Sequence, residues 1–129
     1  MIRPPWGRIS AIDLKNCKIV WQVPHGEFKG LSARGIPRTG TYIRGGNIVT
    51  RSGVLFSGGT LDNVFRAYDA RTGKVLWETY LGGGVFATPS TYMADGKQFV
   101  VAPVSDDLNP EKSSGAGPYR IGDFVAFAL

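Results

Sequence analysis

The sequence predicts an all-β protein made of repeated antiparallel sheets; its composition, its short apolar runs and an internal repeat indicate this. Glycine and proline number 18 and 8 in 129 residues, and so many turn-forming residues disfavour a mainly helical fold. The apolar residues fall in short runs bounded by turn signals, without a sustained helical period. With 43% hydrophobic and 19% charged residues, the chain has the composition of a globular domain.

The internal repeat predicts two equivalent β-hairpins. Four residues recur at an offset of 56, where Ala11, Asp13, Lys18 and Trp21 are matched by Ala67, Asp69, Lys74 and Trp77. In each copy an apolar strand ends at the Asp, whose side chain can bond the backbone of the following turn. Gly73 suits that turn because glycine adopts positive φ without strain. Cys17 holds the same position in the first copy, where positive φ costs about 1 kcal/mol. We interpret it as a tolerated surface substitution in preference to a reactive thiol.

The other elements follow from similar signals. The turn 51–53 separates two short apolar runs, and Asp95-Gly96 marks a further hairpin. A short helical turn is expected around 28–33. In chain order, strands are predicted at 9–13, 18–23, 47–50, 54–57, 65–69, 75–80, 90–93, 98–102 and 124–128.

Grouping these strands predicts the architecture. Residues 47–80 make one complete four-stranded sheet, 1–23 hold the end of an earlier sheet, and 90–129 hold three strands of a later one. Four-stranded sheets repeated in this way are the blades of a β-propeller. The predicted fold class is therefore all-β, a partial β-propeller of about two to two and a half four-stranded antiparallel blades. Residues 1–129 are expected to form a single incomplete propeller segment.

The predicted topology places the long connections together. Because antiparallel strands alternate in direction, successive connections alternate between the two ends of a sheet. The short turns fall at one end, and the loops 24–46, 58–64, 81–89 and 103–123 fall at the other. Long loops on a rigid scaffold commonly carry function, so this end is the predicted functional site.

The first long loop carries four basic residues that can attract a carboxylate-bearing ligand: Lys29, Arg34, Arg38 and Arg44. An ordinary solvated loop is the favoured alternative, because such residues are common on loop surfaces. The net charge of +5 is spread along the whole sequence, so no nucleic-acid partner is expected.

The sequence shows no recognisable catalytic or metal-binding pattern in the other loop residues. Asp106, Asp107 and Glu111 could hold Ca²⁺, but they lack the spacing and glycine pattern of an EF-hand loop, so surface residues are the favoured interpretation. His25 has no Ser or Cys nucleophile at an interpretable spacing, so it is assigned no catalytic role. The single cysteine excludes an internal disulfide, and no Cys/His cluster offers a zinc site.

A set of segments taken in order is specific as a group. It comprises Pro5-Trp6-Gly7, Ala11-Ile12-Asp13, 45–50 (GGNIVT), 65–69 (FRAYD), 72–78 (TGKVLWE), 87–92 (ATPSTY), 95–101 (DGKQFVV) and 122–129 (GDFVAFAL). Together they resemble the C-terminal part of the membrane-bound glucose/quinate-type dehydrogenases that use pyrroloquinoline quinone (PQQ). The resemblance covers nearly the whole chain.

This resemblance implies a fold and an activity. It implies an eight-bladed propeller in the periplasm, with PQQ and Ca²⁺ or Mg²⁺ in the central funnel. Such enzymes oxidise sugars or polyols and pass the electrons to ubiquinone. Their catalytic base and metal ligands lie in earlier blades, so the resemblance assigns no catalytic residue to this chain.

Three residues match funnel-lining positions of the resembled family. Asp62 and Asn63, within Thr60-Leu61-Asp62-Asn63, are the expected cofactor or substrate contacts, and Thr88 is a further one. Segment 103–110 departs from the family pattern, because relatives carry a small Gly-rich turn where this chain is longer and acidic. That departure bears on substrate choice and on PQQ binding.

The length of the repeat limits what the chain does alone. At 56 residues per blade, 129 residues make about 2.3 blades, and an incomplete propeller exposes sheet faces and strand edges. We therefore expect no dehydrogenase activity from this chain without the missing blades or self-association. The alternative is a non-catalytic blade module for binding or oligomerisation. The sequence shows no signal peptide or membrane-spanning segment.

Overall fold

The computed structural model describes residues 2–105 and 122–129. In that part of the chain the elements are β1 (Arg8–Asp13), β2 (Lys18–Pro24), α1 (Lys29–Ser32), β3 (Asn47–Val49), β4 (Val54–Ser57), β5 (Val64–Asp69), β6 (Val75–Tyr80), β7 (Ser90–Ala94), β8 (Lys97–Pro103) and β9 (Phe124–Ala128). Every predicted strand is present, and its ends differ from the prediction by one residue at most. The all-β prediction is therefore confirmed.

The strands form three antiparallel sheets in chain order. The first sheet is β1-β2, the second is β3-β4-β5-β6 and the third is β7-β8-β9. Leu55 and Phe56 are adjacent in β4 and face opposite sides, because side chains alternate along a strand. Leu55 joins a buried cluster with Ile9 of the first sheet, and Phe56 joins one with Val100 and Val125 of the third. Sheets stacked in this way are propeller blades, which confirms the predicted partial propeller.

The two repeated hairpins share the same backbone irregularity. The strand register shifts directly after Ala11, which pairs with Trp21, and again directly after Ala67, which pairs with Trp77. A β-bulge leaves one residue of a strand unpaired and increases the local twist. Because the bulge falls at the same repeat position, the two hairpins are structurally equivalent.

The turns of the two hairpins are also equivalent. Asp13 and Asp69 each accept a 2.8 Å hydrogen bond from the backbone N–H two residues later. Gly73 has φ 72°, and Cys17 at the matching position has φ 55°. Both lie in the left-handed region, so this turn position has positive φ in both copies of the repeat. Cys17 is exposed and carries a strain of about 1 kcal/mol.

The repeated tryptophans dock on the following sheet. Trp21 of β2 donates its indole N–H to the carbonyl of Ala70 (Nε1···O 3.0 Å), and its ring covers Gly73. Trp77 of β6 stands edge-on to Phe127 of β9, with ring centroids 5.1 Å apart. Trp21 thus fixes β2 to the turn that follows β5, and Trp77 fixes β6 to β9. In both cases the last strand of one sheet is held against the next sheet.

The long loops meet at one end, which we call the loop end: residues 25–46, 58–63, 81–89 and 104–105 of the described chain. The strand register places them there, since Asn47 pairs with Ser57 and Val64 pairs with Tyr80. Backbone hydrogen bonds join the loops, with Arg44 N to Gly59 O at 2.8 Å, Leu81 N to Asn63 O at 3.0 Å and Ser105 N to Gly84 O at 2.8 Å. The loop end is therefore one connected surface, as the sequence predicted.

Candidate functional site

A buried ion pair organises the loop that precedes β5. Asp62 and Arg66 form this pair, and both side chains are only 1% exposed. The Asp62 carboxylate also accepts the backbone N–H of Glu27 at 2.9 Å and the hydroxyl of Thr60. Arg66 reaches Thr60 Oγ1 and Glu78 Oε2, each at 3.2 Å. Both carboxylate oxygens of Asp62 and all three guanidinium nitrogens of Arg66 are therefore engaged within the chain.

The charges of this pair stabilise each other. Burial alone would raise the pKa of Asp62, but the hydrogen bonds and charge of Arg66 outweigh it and hold that pKa below its usual value. Burial would lower the pKa of Arg66, and Asp62 reverses that effect in the same way. Asp62 is consequently a carboxylate at neutral pH whose charge is already balanced.

A second buried network joins the first two sheets through His25. His25 Nε2 lies 2.8 Å from Ser57 Oγ, and Nδ1 lies 2.7 Å from the Tyr68 hydroxyl. The Ser57 hydroxyl donates a hydrogen bond to Asn47 Oδ1 at 2.6 Å, so its oxygen is left to accept a hydrogen bond from the Nε2–H of His25. The Tyr68 hydroxyl then donates to the unprotonated Nδ1. In a neutral imidazole, these contacts place the proton of His25 on Nε2.

Burial keeps that imidazole neutral. It lowers the pKa of His25 to about 4, and the positive charge of Arg66 adds to the effect. Burial likewise raises the pKa of Tyr68 to about 12. Ser57 and His25 have the atoms of a nucleophile and its base, but they are 0% and 1% exposed. The network therefore holds two sheets together and offers no surface to a substrate.

Thr88 lies at another point of the loop end. It is exposed and stands two residues before β7, the first strand of the third sheet. Its side chain rests on Gly46, where an added Cβ would collide with the Thr88 hydroxyl. The neighbouring Gly45 approaches the Val85 carbonyl, which would lie 2.7 Å from a Cβ. Glycine at 45 and 46 thus lets the segments entering β3 and β7 touch.

The residues predicted to contact a cofactor differ in accessibility. Asp62 and Asn63 are each 2% exposed, whereas Thr88 is exposed. The structure brings Asp62 and Asn63 into one buried loop and places Thr88 on a separate loop of the same end.

Two of the four basic loop residues have partners in the chain. Arg38 lies 3.7 Å from a Glu27 carboxylate oxygen and 3.4 Å from one of Glu78. The Lys29 ammonium stands over the Tyr80 ring, 5.1 Å from its centroid. These contacts favour the interpretation of a structured, solvated loop. Asp106, Asp107 and Glu111 lie outside the described residues.

Sequence reasoning missed Arg66 and the role of His25. The sequence does carry a signal that could have identified the Asp62–Arg66 pair: a basic residue inside an otherwise apolar strand, four positions after an acidic one. His25 follows a strand directly, but its partners Ser57 and Tyr68 are 32 and 43 residues away. Only the stacking of the sheets brings them together.

Two features are absent from residues 2–105 and 122–129. In that part of the chain, no three His, Cys, Asp or Glu side chains are grouped so as to hold a metal ion. The same residues contain no helix with the length and apolar character needed to cross a bilayer. The loop end therefore offers a wall of hydrogen-bonded polar groups and one exposed threonine, Thr88.

Comparison with known proteins identifies related sequences. The family described as "PQQ: Glucose/ethanol/alcohol dehydrogenase, beta-propeller domain" matches residues 1–100. The glycerol dehydrogenase large subunit of Gluconobacter thailandicus is 42% identical in an alignment 122 residues long, which covers 82% of this chain and 16% of the relative. Quinoprotein glucose dehydrogenase A of Acinetobacter calcoaceticus is 36% identical in an alignment 134 residues long, gaps included, which covers 98% of this chain and 16% of the relative.

Solved structures give the same result. Quinohemoprotein alcohol dehydrogenase from Comamonas testosteroni superposes with a TM-score of 0.60 at 36% sequence identity, covering 75% of this chain and 12% of that one. A europium-containing methanol dehydrogenase superposes with a TM-score of 0.60 at 30% sequence identity, and the match covers 77% of this chain and 15% of the methanol dehydrogenase. This chain therefore spans only a small part of the length of the proteins that it matches.

Proposed function

This chain belongs to the PQQ-dependent glucose/ethanol/alcohol dehydrogenase β-propeller family, and we propose that it supplies part of a propeller that oxidises a sugar or polyol. The observation that carries this proposal is the family match over residues 1–100 together with three stacked, repeat-related sheets. Relatives named for glycerol and glucose support a hydroxyl-bearing substrate. We expect this chain to be inactive until other blades complete the ring.

The loop end supplies part of a PQQ site. Thr88 is proposed to touch the cofactor or substrate, because the residue is exposed and a threonine hydroxyl can hydrogen-bond a carboxylate or quinone oxygen. Asp62 and Asn63 are proposed to form the wall beside it, where Arg66 holds the Asp62 carboxylate in place. When bound with Ca²⁺ or Mg²⁺, PQQ supplies a two-electron acceptor for alcohol oxidation. The catalytic base and the metal ligands would come from other blades.

The proposed partners follow from the family. The missing blades, or further copies of this chain, complete the propeller, and the full enzyme passes electrons to ubiquinone. A relative named quinate/shikimate dehydrogenase (quinone) supports a quinone acceptor. We place the complete enzyme in the periplasm or on the periplasmic face of a membrane.

A non-catalytic blade module for binding or oligomerisation is the second candidate. The observation that favours it is the Asp62 carboxylate, both of whose oxygens already bind Arg66 and other groups of the chain. A carboxylate with both oxygens engaged in this way stabilises the fold and has no role in binding a ligand.

An assembly experiment separates the two candidates. The chain is co-expressed with a truncated relative from which the matching segment has been deleted. The assembly is then titrated with PQQ in the presence of Ca²⁺, and binding is followed by absorbance. The dehydrogenase proposal predicts PQQ binding and oxidation of glycerol or glucose by the assembly, and neither by the chain alone. Absence of PQQ binding by a folded assembly would reject the dehydrogenase proposal in favour of the module.

A pair of variants tests the assignment of Thr88. Thr88→Val should weaken PQQ binding by the assembly about tenfold, the loss of one good hydrogen bond. Thr72→Val is the control, because Thr72 lies in the β5–β6 turn at the opposite end of the sheet. Equal PQQ affinities for the two variants would remove Thr88 from the site.

A further inference from the structure

A closed ring of charged groups includes the buried Asp62–Arg66 pair. The backbone N–H of Glu27 donates to Asp62 at 2.9 Å, and the Glu27 carboxylate lies 3.7 Å from Arg38 Nε. Arg38 Nη2 lies 3.4 Å from Glu78 Oε2, the same oxygen that accepts a 3.2 Å hydrogen bond from Arg66 Nε. Because Arg66 binds Asp62, this series of contacts returns to its starting point.

The ring fixes one segment of the first long loop against the second sheet. We call residues 27–38 the strap; it contains α1 and is held at its first residue, Glu27, and at its last, Arg38. Between these points Lys29 stands over the ring of Tyr80, the last residue of β6. Among the basic residues of the strap, Arg38 alone forms ion pairs within the described part of the chain. Arg38 is therefore the residue that closes the strap electrostatically.

The ring has a buried inner part and a partly exposed outer part. Asp62 and Arg66 are 1% exposed, whereas the side chains of Glu27, Arg38 and Glu78 are 24–44% exposed. Ion pairs in contact with water are weak and are screened by salt, whereas buried pairs are screened much less. Salt should therefore break the contacts of Arg38 while the Asp62–Arg66 pair stays intact.

Arg38 also balances the charge of the ring. The ring comprises three carboxylates and two guanidinium groups. Without Arg38, three carboxylates would face the single guanidinium of Arg66, and like charges repel each other. That repulsion favours movement of Glu27, with its backbone N–H, away from Asp62.

We propose that Arg38 is a salt-sensitive latch, which holds the strap closed over Asp62 and whose release exposes the Asp62 carboxylate at the loop end. In the closed state the Glu27 N–H occupies one carboxylate oxygen of Asp62. In the open state that oxygen is left to water or to a hydrogen-bond donor of a ligand, while Arg66 still balances the charge of Asp62. Ionic strength thus sets how often this carboxylate is accessible.

The latch is independent of the proposed dehydrogenase function. Its test uses the full chain and needs no PQQ. The latch can therefore be rejected while the dehydrogenase proposal stands, and the reverse also holds.

Amide hydrogen exchange tests the latch, because the Glu27 N–H loses its acceptor when the strap opens. The unmodified chain is compared with Arg38→Gln at about 0.01 M NaCl, where the Debye length is about 30 Å. The variant should exchange the Glu27 N–H about fivefold faster, since it lacks two partly exposed ion pairs. The amides of β8, which contributes to the core, should stay within about twofold, because the opening is local.

Two further variants separate the latch from a general effect of charge. Arg34→Gln is the matched control, because Arg34 is an exposed basic residue of the strap that forms no ion pair in the described part of the chain. Exchange at Glu27 should stay within about twofold in this control. Arg38→Lys keeps the positive charge and should restore slow exchange to within about twofold of the unmodified chain.

The response of the unmodified chain to salt is a second measurement. At about 1 M NaCl the Debye length is about 3 Å, so exchange at Glu27 should rise about fivefold relative to the amides of β8. In Arg38→Gln the same addition of salt should change that ratio by less than about twofold. If Arg38→Gln fails to fold, the salt response decides.

Three results would overturn the latch. They are equal Glu27 exchange in Arg38→Gln and Arg34→Gln, a Glu27 N–H whose exchange ignores salt, and amides of β8 that accelerate as much as Glu27. The last result would mean that Arg38 supports the whole fold and does not control the strap.

Discussion

Asp62 illustrates how far a single residue can be understood before the fold is known. The resemblance to quinoprotein dehydrogenases predicted that Asp62 lines the funnel. In the structure its carboxylate is hydrogen-bonded to Arg66, to Thr60 and to the backbone N–H of Glu27. The partner Arg66 lies only four positions away, but a strand sequence does not say which charged side chain is buried. That information comes from the sheet packing, which excludes water from both groups.

Removal of the Asp62 charge should destabilise the chain strongly. Asp62→Asn leaves Arg66 buried without its counter-ion, which costs about 3 kcal/mol or more of unfolding free energy. Glu78→Gln is the matched control, because Glu78 also contacts Arg66 but its side chain is 44% exposed. The control should lose less than about 1 kcal/mol. Urea denaturation measures both, and equal losses would show that the ion pair is not the organising contact.

His25 should make stability depend on pH. Its pKa is lowered from 6.5 to about 4 in the folded chain, so the unfolded chain binds the extra proton between these values. Stability is therefore complete above about pH 6.5 and is lost as the pH falls towards 4, by about 3 kcal/mol in all. Denaturation at a series of pH values measures this slope.

A variant isolates the contribution of His25. His25→Gln should abolish the stability slope between about pH 6.5 and 5, whatever its effect on stability at neutral pH. The pKa values of Asp62 and Asp69 are lowered from 3.8, so these carboxylates begin to lose stabilisation only below about pH 5 and do not interfere in this window. A slope that persists in His25→Gln would show that another group titrates in this window.

At the scale of elements, the hairpin repeat is where sequence and structure agree in most detail. The matched Asp, turn and Trp positions predicted equivalent hairpins, and the structure adds a β-bulge at the same place in each. Strand ends were predictable because Gly and Asp turn signals bound them. The bulge was not, since it depends on how a hairpin twists against the next sheet.

Gly73 tests the packing between the first two sheets. Gly73→Ala forces a Cβ into left-handed backbone and to within 2.6 Å of the Trp21 ring. Gly96→Ala is the matched control, because its φ of 73° equals that of Gly73 within a degree, but no atom lies within 4 Å of the added Cβ. The control should cost about 1 kcal/mol and Gly73→Ala about 1–2 kcal/mol more. Thermal denaturation measures both, and equal costs would mean that Trp21 does not dock on this turn.

The site was less predictable than the fold. The loop end followed from strand direction alone, and the family resemblance pointed to Asp62, Asn63 and Thr88. The His25–Ser57–Tyr68 network was not predictable, because its members come from distant parts of the chain that meet only when the sheets stack. Long-range polar contacts of this kind leave no periodic trace in a sequence.

At the scale of the whole molecule, stacked sheets leave apolar faces at both ends. Ile12, Ile19 and Val20 of the first sheet are 56–60% exposed, and Phe124 of the third sheet is 77% exposed. In a closed propeller each such face is covered by the next blade. In this chain they are available to a partner, so the isolated chain should associate through them.

We propose that these sheets are part of a ring and require neighbours. Sedimentation velocity of the purified chain over a wide concentration range is the decisive measurement. We expect species heavier than one chain, in proportions that rise with concentration. A compact single chain at every concentration would show that the sheets need no neighbours.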